Sequence, residues 1–127
     1  MNIKFISYDG EWPNLCRGTL KLEINGKLWI FDSYYKKPEI DEEGNIHGSK
    51  FWESGGSAGV DFSGEISEAY CTSGPWILDK EEIPDELKNM SQELIDIFNE
   101  NVPQGCCGGC IWYLKNVLYA VIKISIR

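Results

Sequence analysis

Leu20-Lys21-Leu22-Glu23-Ile24-Asn25-Gly26-Lys27-Leu28-Trp29-Ile30-Phe31 is the stretch whose pattern decides the fold. Leu20, Leu22 and Ile24 alternate with Lys21 and Glu23, so one strand face is apolar and the other polar. Asn25-Gly26 separates this run from Leu28-Trp29-Ile30-Phe31. A two-residue Asn-Gly link favours a type I′ turn, because both central residues need positive φ. The stretch therefore predicts a β-hairpin with one buried face.

Upstream, Ile3 and Phe5 fall on one face of a short N-terminal strand and Lys4 and Ile6 on the other. Asp9 to Asn14 reads as a loop, with Cys16 just after it. Downstream, Lys36 to Lys50 is polar and carries Pro38, Gly44 and Gly48, which predicts a loop or a long hairpin tip. Val60-Asp61-Phe62 reads as a strand that pairs with Ile66 to Cys71, and Gly74-Pro75-Trp76 as a turn before Ile77-Leu78. One helix follows. Pro84 suits a first helical turn, and Asp85 and Glu86 favour the positive end of its dipole. Leu87, Met90, Leu94, Ile97 and Phe98 recur at helical steps, and Asn99 to Pro103 ends the pattern. Ile111 to Ile126 predicts a last hairpin turning near Lys115-Asn116. The expected fold is α+β. One domain over residues 1–127 holds a mostly antiparallel sheet of about five to seven strands with one amphipathic helix packed on it.

Composition narrows the function classes. A chain of 127 residues can bury a core without disulfides. The N-terminus breaks into charge too early for a signal-peptide core, and the longest clean apolar stretch, 117–122, is far below the roughly 20 residues that span a bilayer. The expected setting is the cytoplasm, without a membrane. The formal net charge is −8, divided as −1 over residues 1–50, −10 over 51–100 and +3 over 101–127. Such a field repels phosphate, which disfavours direct nucleic-acid binding and suits a basic protein partner. The plainer reading of the same charge is a solvated surface.

The chemically pointed feature is Gly105-Cys106-Cys107-Gly108-Gly109-Cys110, which holds three of the five cysteines. Cys107-x-x-Cys110 with internal glycines resembles half of a zinc site. Four ligands are needed, and the further candidates are Cys106, Cys16, Cys71 and His47. Cys16 reaches the cluster if the N-terminal strand lies beside the C-terminal hairpin. The alternative is a glycine-rich connection whose cysteines pack as small hydrophobes. A thioredoxin-like reading is weaker, because the motif follows a helix instead of opening one, and lacks the dipole that activates the first thiol.

Other residues invite chemistry less strongly. Ser54-Gly55-Gly56-Ser57-Ala58-Gly59 lacks the Gly-Lys-Ser/Thr ending of a phosphate loop and reads as a flexible turn or bulge. His47, the single histidine, reads as a solvent-exposed loop residue with no matching nucleophile. The pairs Glu81-Glu82 and Asp41-Glu42 read as surface charge. Of the five tryptophans, Trp29 belongs to a strand run and the core, while Trp12 and Trp76 neighbour prolines.

The combination Tyr8-Asp9-Gly10-Glu11-Trp12-Pro13-Asn14-Leu15-Cys16, Ser54-Gly55-Gly56-Ser57, Gly74-Pro75-Trp76, Asn99-Glu100-Asn101-Val102-Pro103 and Gly105 to Cys110 resembles small uncharacterised proteins encoded by phages and prophages of Gram-positive bacteria. The likeness spans about residues 1–111. It carries no activity and no catalytic residues. It implies an intracellular bacterial setting and a protein that binds a host or phage protein. Three readings thus stand in order: a non-catalytic interaction module using its acidic 51–100 surface, a zinc module held by Cys107 and Cys110, and a small enzyme.

Overall fold

A computed structural model describes residues 2–11, 14–61, 68–72, 74–103 and 116. Its elements in chain order are β1 (Ile3–Tyr8), a 3-10 turn (Leu15–Arg17), β2 (Leu20–Ile24), β3 (Lys27–Ser33), β4 (Glu39–Ile40), β5 (Ile46–Ser49), β6 (Trp52–Glu53), β7 (Ser57–Asp61), β8 (Glu68–Thr72), β9 (Ile77–Leu78), a 3-10 segment (Asp85–Met90) and α1 (Ser91–Asn101). Five strands form the main sheet in the order β1-β2-β3-β5-β4, while β6-β9 and β7-β8 are two-stranded. The protein is α+β, mostly sheet.

The hairpin is as its sequence requires. Leu20 pairs with Phe31 and Leu22 with Trp29, and all four are buried on one face. Asn25 (φ 51°) and Gly26 (φ 83°) supply the two positive φ values of the link. β1 joins β2 antiparallel through Ile3–Ile24 and Phe5–Leu22, with a register shift between Phe5 and Ser7. β7 and β8 pair antiparallel from Ser57–Thr72 to Asp61–Glu68. The glycine-rich run is therefore partly strand: Ser57, Ala58 and Gly59 belong to β7, so the expected flexible turn is confined to Ser54–Gly56.

The polar stretch 36–50 departs from expectation. It contains β4 and β5, and β5 runs parallel to β3, with Trp29 opposite Ile46 and Ile30 opposite His47. Gly48 packs against the Trp29 and Phe31 rings, which lie at ordinary contact distance from where a Cβ would stand. Ile46 then completes the buried rung begun by Leu22 and Trp29.

Leu87, Met90, Leu94, Ile95, Phe98 and Val102 close the core from the helical side. Ile95 is buried there and Ile97 only partly so, a small rotation from the predicted stripe. The helix is also shorter than its pattern: Met90 leaves helical geometry (φ −119°, ψ 20°), so 85–90 is 3-10 and α1 starts at Ser91. The Phe98 ring stacks on Trp52 (4.7 Å) and meets Tyr8 and Trp76 edge-on. Three of the five tryptophans, Trp29, Trp52 and Trp76, are thus core. Among the described residues no helix is long and apolar enough to cross a membrane.

Candidate functional site

The face of the main sheet opposite the helix carries the tightest polar cluster. On β3, Trp29 and Phe31 face the core, so Asp32 faces the other way; on β5, His47 does the same beside buried Ile46. His47 Nδ1 lies 2.7 Å from Asp32 Oδ2, and Nε2 lies 2.8 Å from Asp41 Oδ2. Asp41 stands at the head of the turn between β4 and β5, where its Oδ1 accepts the Glu43 and Asn45 N–H groups. His47 is therefore neither a loop residue nor freely exposed, and Asp41 is not idle surface charge. The reason lies in pairing: parallel addition of β5 to β3 puts Asp32 and His47 on neighbouring strands.

Two carboxylates on one imidazole favour its charged form. The hydrogen bond to Asp41, and then that to Asp32, raises the His47 pKa above its ordinary value of 6.5 against a smaller opposing effect of burial. The same contact holds the Asp41 carboxyl below its usual range. While His47 is protonated, both ring nitrogens donate to carboxylates and leave no lone pair for a nucleophile or a metal. The cluster ties β3, β5 and the β4–β5 turn together through one side chain.

A second polar group, Glu82, is buried where the Glu81-Glu82 pair alone suggests surface charge. Glu82 is 6% exposed, and its Oε2 accepts the Tyr35 N–H (2.8 Å) and the Ser49 hydroxyl. These bonds hold Tyr35 at φ 56° with its side chain in solvent. Glu82 lies in the wall of a cleft of about 640 Å³, in which Lys36 and Lys37 face Glu81, Asp85 and Glu86. Walls of opposite sign fit no single ionic class of ligand.

A third feature has one sign. Glu93, Asp96, Ile97 and Glu100 on one side of α1, with Ile3 of β1, line a shallow groove of about 300 Å³. Their spacing (i, i+3, i+4, i+7) places them on one helix face. Three carboxylates rim an apolar floor, and no cation lines it among the described residues. Among the described residues, Gln92 engages one of them, donating to Asp96 at 2.8 Å.

The sequence-derived metal candidates divide. Cys106, Cys107 and Cys110, and the expected 111–126 hairpin, lie outside the described residues apart from Asn116. Cys16 sits in the 3-10 turn after β1, half-buried against the core, and its carbonyl accepts the Trp52 indole N–H at 2.9 Å. Cys71 belongs to β8. Among the described residues, no three His, Cys, Asp or Glu side chains are grouped to hold a metal ion.

No known protein family, curated protein or solved structure matches this chain.

Proposed function

We propose that the protein is a non-catalytic interaction module that offers its acidic 51–100 surface, and the α1 groove in particular, to a protein with a basic surface. The observation that carries this reading is the groove itself: Glu93, Asp96 and Glu100 around Ile3 and Ile97. A lysine or arginine side chain fits such a lining chemically, laying its methylenes on the isoleucines and its charge among the carboxylates. The wider surface agrees, since Glu53, Glu81, Asp85 and Glu86 are exposed as well. Against a catalytic reading stands the occupation of both His47 ring nitrogens by carboxylates. The proposed setting is the cytoplasm of a bacterium or of a phage-infected cell, with a host or phage protein as partner.

The test is titration of the protein with a lysine- and arginine-rich peptide, at low salt and again near 1 M, where the Debye length falls from about 10 Å at 0.1 M to about 3 Å. Binding should weaken strongly with salt and drop in the triple variant Glu93→Gln, Asp96→Asn, Glu100→Gln. Salt-insensitive binding, or full binding by the folded triple variant, would overturn the reading.

A further inference from the structure

The Asp32–His47–Asp41 cluster does more than brace the sheet. Asp32 belongs to the central strand β3, whereas Asp41 belongs to the turn that follows β4, the last strand of the sheet. β4 pairs with β5 at two positions, Glu39–His47 and Ile40–Ile46, with the Asp41 N–H donating to the Asn45 carbonyl at 2.9 Å where the turn begins, and both residues of β4 are exposed. Ile40 is 73% exposed and adds little burial. The imidazole of His47 is thus a side-chain bridge between the rigid interior of the sheet and its weakly attached edge.

We propose that Asp32–His47–Asp41 is a protonation-controlled latch, which holds β4 and its turn against β5 while His47 carries both ring protons and releases them when one is lost. A neutral imidazole has one N–H, so one of the two carboxylates must then face a nitrogen lone pair. Asp32 cannot easily give way. Its Oδ1 is buried and accepts no hydrogen bond among the described residues, and the Lys36 ammonium at 3.9 Å provides an ionic contact only. Asp41 can, because its turn keeps the bonds to Glu43 and Asn45 without the histidine. Contact therefore fails on the Asp41 side, and the unpaired edge of β5 is uncovered.

The groups around His47 set the direction. Asp32 faces it from β3, Glu39 from β4, Asp41 from the turn, Lys36 from the chain between β3 and β4, and Lys21 from β2 beyond Ile30 on the same face. Lys36 is itself shared between Asp32 and Glu39, at 3.9 and 3.7 Å. The two carboxylates in contact with the ring, Asp41 and Asp32, favour the imidazolium. Because the Asp41 contact raises the His47 pKa in the closed state, the latch is at full strength below the open-state value, which the retained Asp32 contact still holds up, and weakens as pH rises toward the closed-state value.

The experiment follows the His47 ring protons and the amide exchange of residues 39–47 by NMR on the full chain across pH, with exchange corrected for its intrinsic pH dependence. The opening constant of the β4–β5 amides should rise by up to about tenfold per pH unit between the His47 midpoint of Asp41→Asn and that of the wild type, and level off there, while β1–β2 amides hold. In folded His47→Gln the step should vanish. Asp41→Asn, which keeps the Asp32 contact, should lower the His47 midpoint. A wild-type midpoint at or below 6.5, or β4–β5 protection that is flat across it, would overturn the proposal. So would loss of protection throughout the sheet at the same pH, which would make the effect global unfolding.

Discussion

Asn99 on α1 clasps the main chain of Trp76 from both sides: its Oδ1 accepts the Trp76 N–H at 2.7 Å and its Nδ2 donates to the Trp76 carbonyl at 2.9 Å. The amide thereby does what a neighbouring strand would do, at a stretch where Gly74-Pro75-Trp76 forms no turn of its own. The indole N–H of Trp76 donates to the Pro103 carbonyl at 3.0 Å, so the same residue is tied to the helix's last turn and to the chain just beyond its end. Asn99→Ala leaves a part-buried N–H and C=O without partners and should cost about 1–3 kcal/mol in chemical denaturation. Asn99→Asp should do no better, because a carboxylate cannot donate to the Trp76 carbonyl. A loss below a few tenths of a kcal/mol would show that water replaces the clasp.

Phe98 is the hub of the aromatic core, fully buried and in ring contact with Tyr8, Trp52 and Trp76. Phe98→Ala should cost about 3–5 kcal/mol, against less than about 1.5 kcal/mol for a substitution that conserves volume and shape. Urea titrations followed by tryptophan fluorescence would report both. Because Trp52 and Trp76 flank the ring, Phe98→Ala should also shift their emission in the native baseline.

Tyr8 predicts an alkaline limb. Its hydroxyl donates to the Leu15 carbonyl and accepts the Gly18 N–H at 3.0 Å, binding the loop after β1 back on itself. Burial pushes its pKa from 10.0 to about 12. A pKa raised on folding supports stability fully below pH 10 and loses it as pH rises to about 12. Tyrosinate absorbance should show a late-titrating tyrosine that is missing in Tyr8→Phe, coincident with loss of structure. Tyr8→Phe should remove that limb while weakening the fold at neutral pH. Normal titration of every tyrosine would refute the assignment.

At the hairpin tip, Gly26 sits at φ 83° with open space where a Cβ would stand. Gly26→Ala therefore tests backbone strain without a clash, and should cost about 1–2 kcal/mol. Gly18→Ala differs in kind, since its Cβ would strike the Gly10 backbone. It should be the more damaging of the two, and equal melting temperatures would count against the close approach of the two glycines.

The cysteine run separates the interaction reading from the zinc reading. For an interaction module whose core is built from the described helix and strands, a chelator should leave the melting temperature unchanged and elemental analysis should find no stoichiometric zinc. A chelator-induced fall in melting temperature, reproduced by Cys107→Ser, would assign the zinc reading instead.

Legibility followed the range of the interactions. The 20–31 hairpin, β1, the β7–β8 pair and the helical stripe were all readable, because each is dictated by residue alternation, a turn requirement or a helical period within a short window. The same windows misplaced Glu82, buried here at 6%, and His47. Nothing adjacent to Glu82 announces that Tyr35 and Ser49 will close over it, and nothing near His47 announces Asp32.

By itself, then, the sequence determined the α+β class, the type I′ turn at Asn25-Gly26, the face of each early strand and the acidity of the 51–100 segment, since local sterics, side-chain periodicity and composition suffice for these. Only the tertiary structure decided that β5 enters parallel to β3, that Glu93, Asp96 and Glu100 rim one groove with Ile3, and that one imidazole bridges two carboxylates. Those arrangements depend on which distant segments share a core. That choice is made by the packing of Trp29, Phe31, Ile46 and Phe98 together, and no single stretch of chain encodes it.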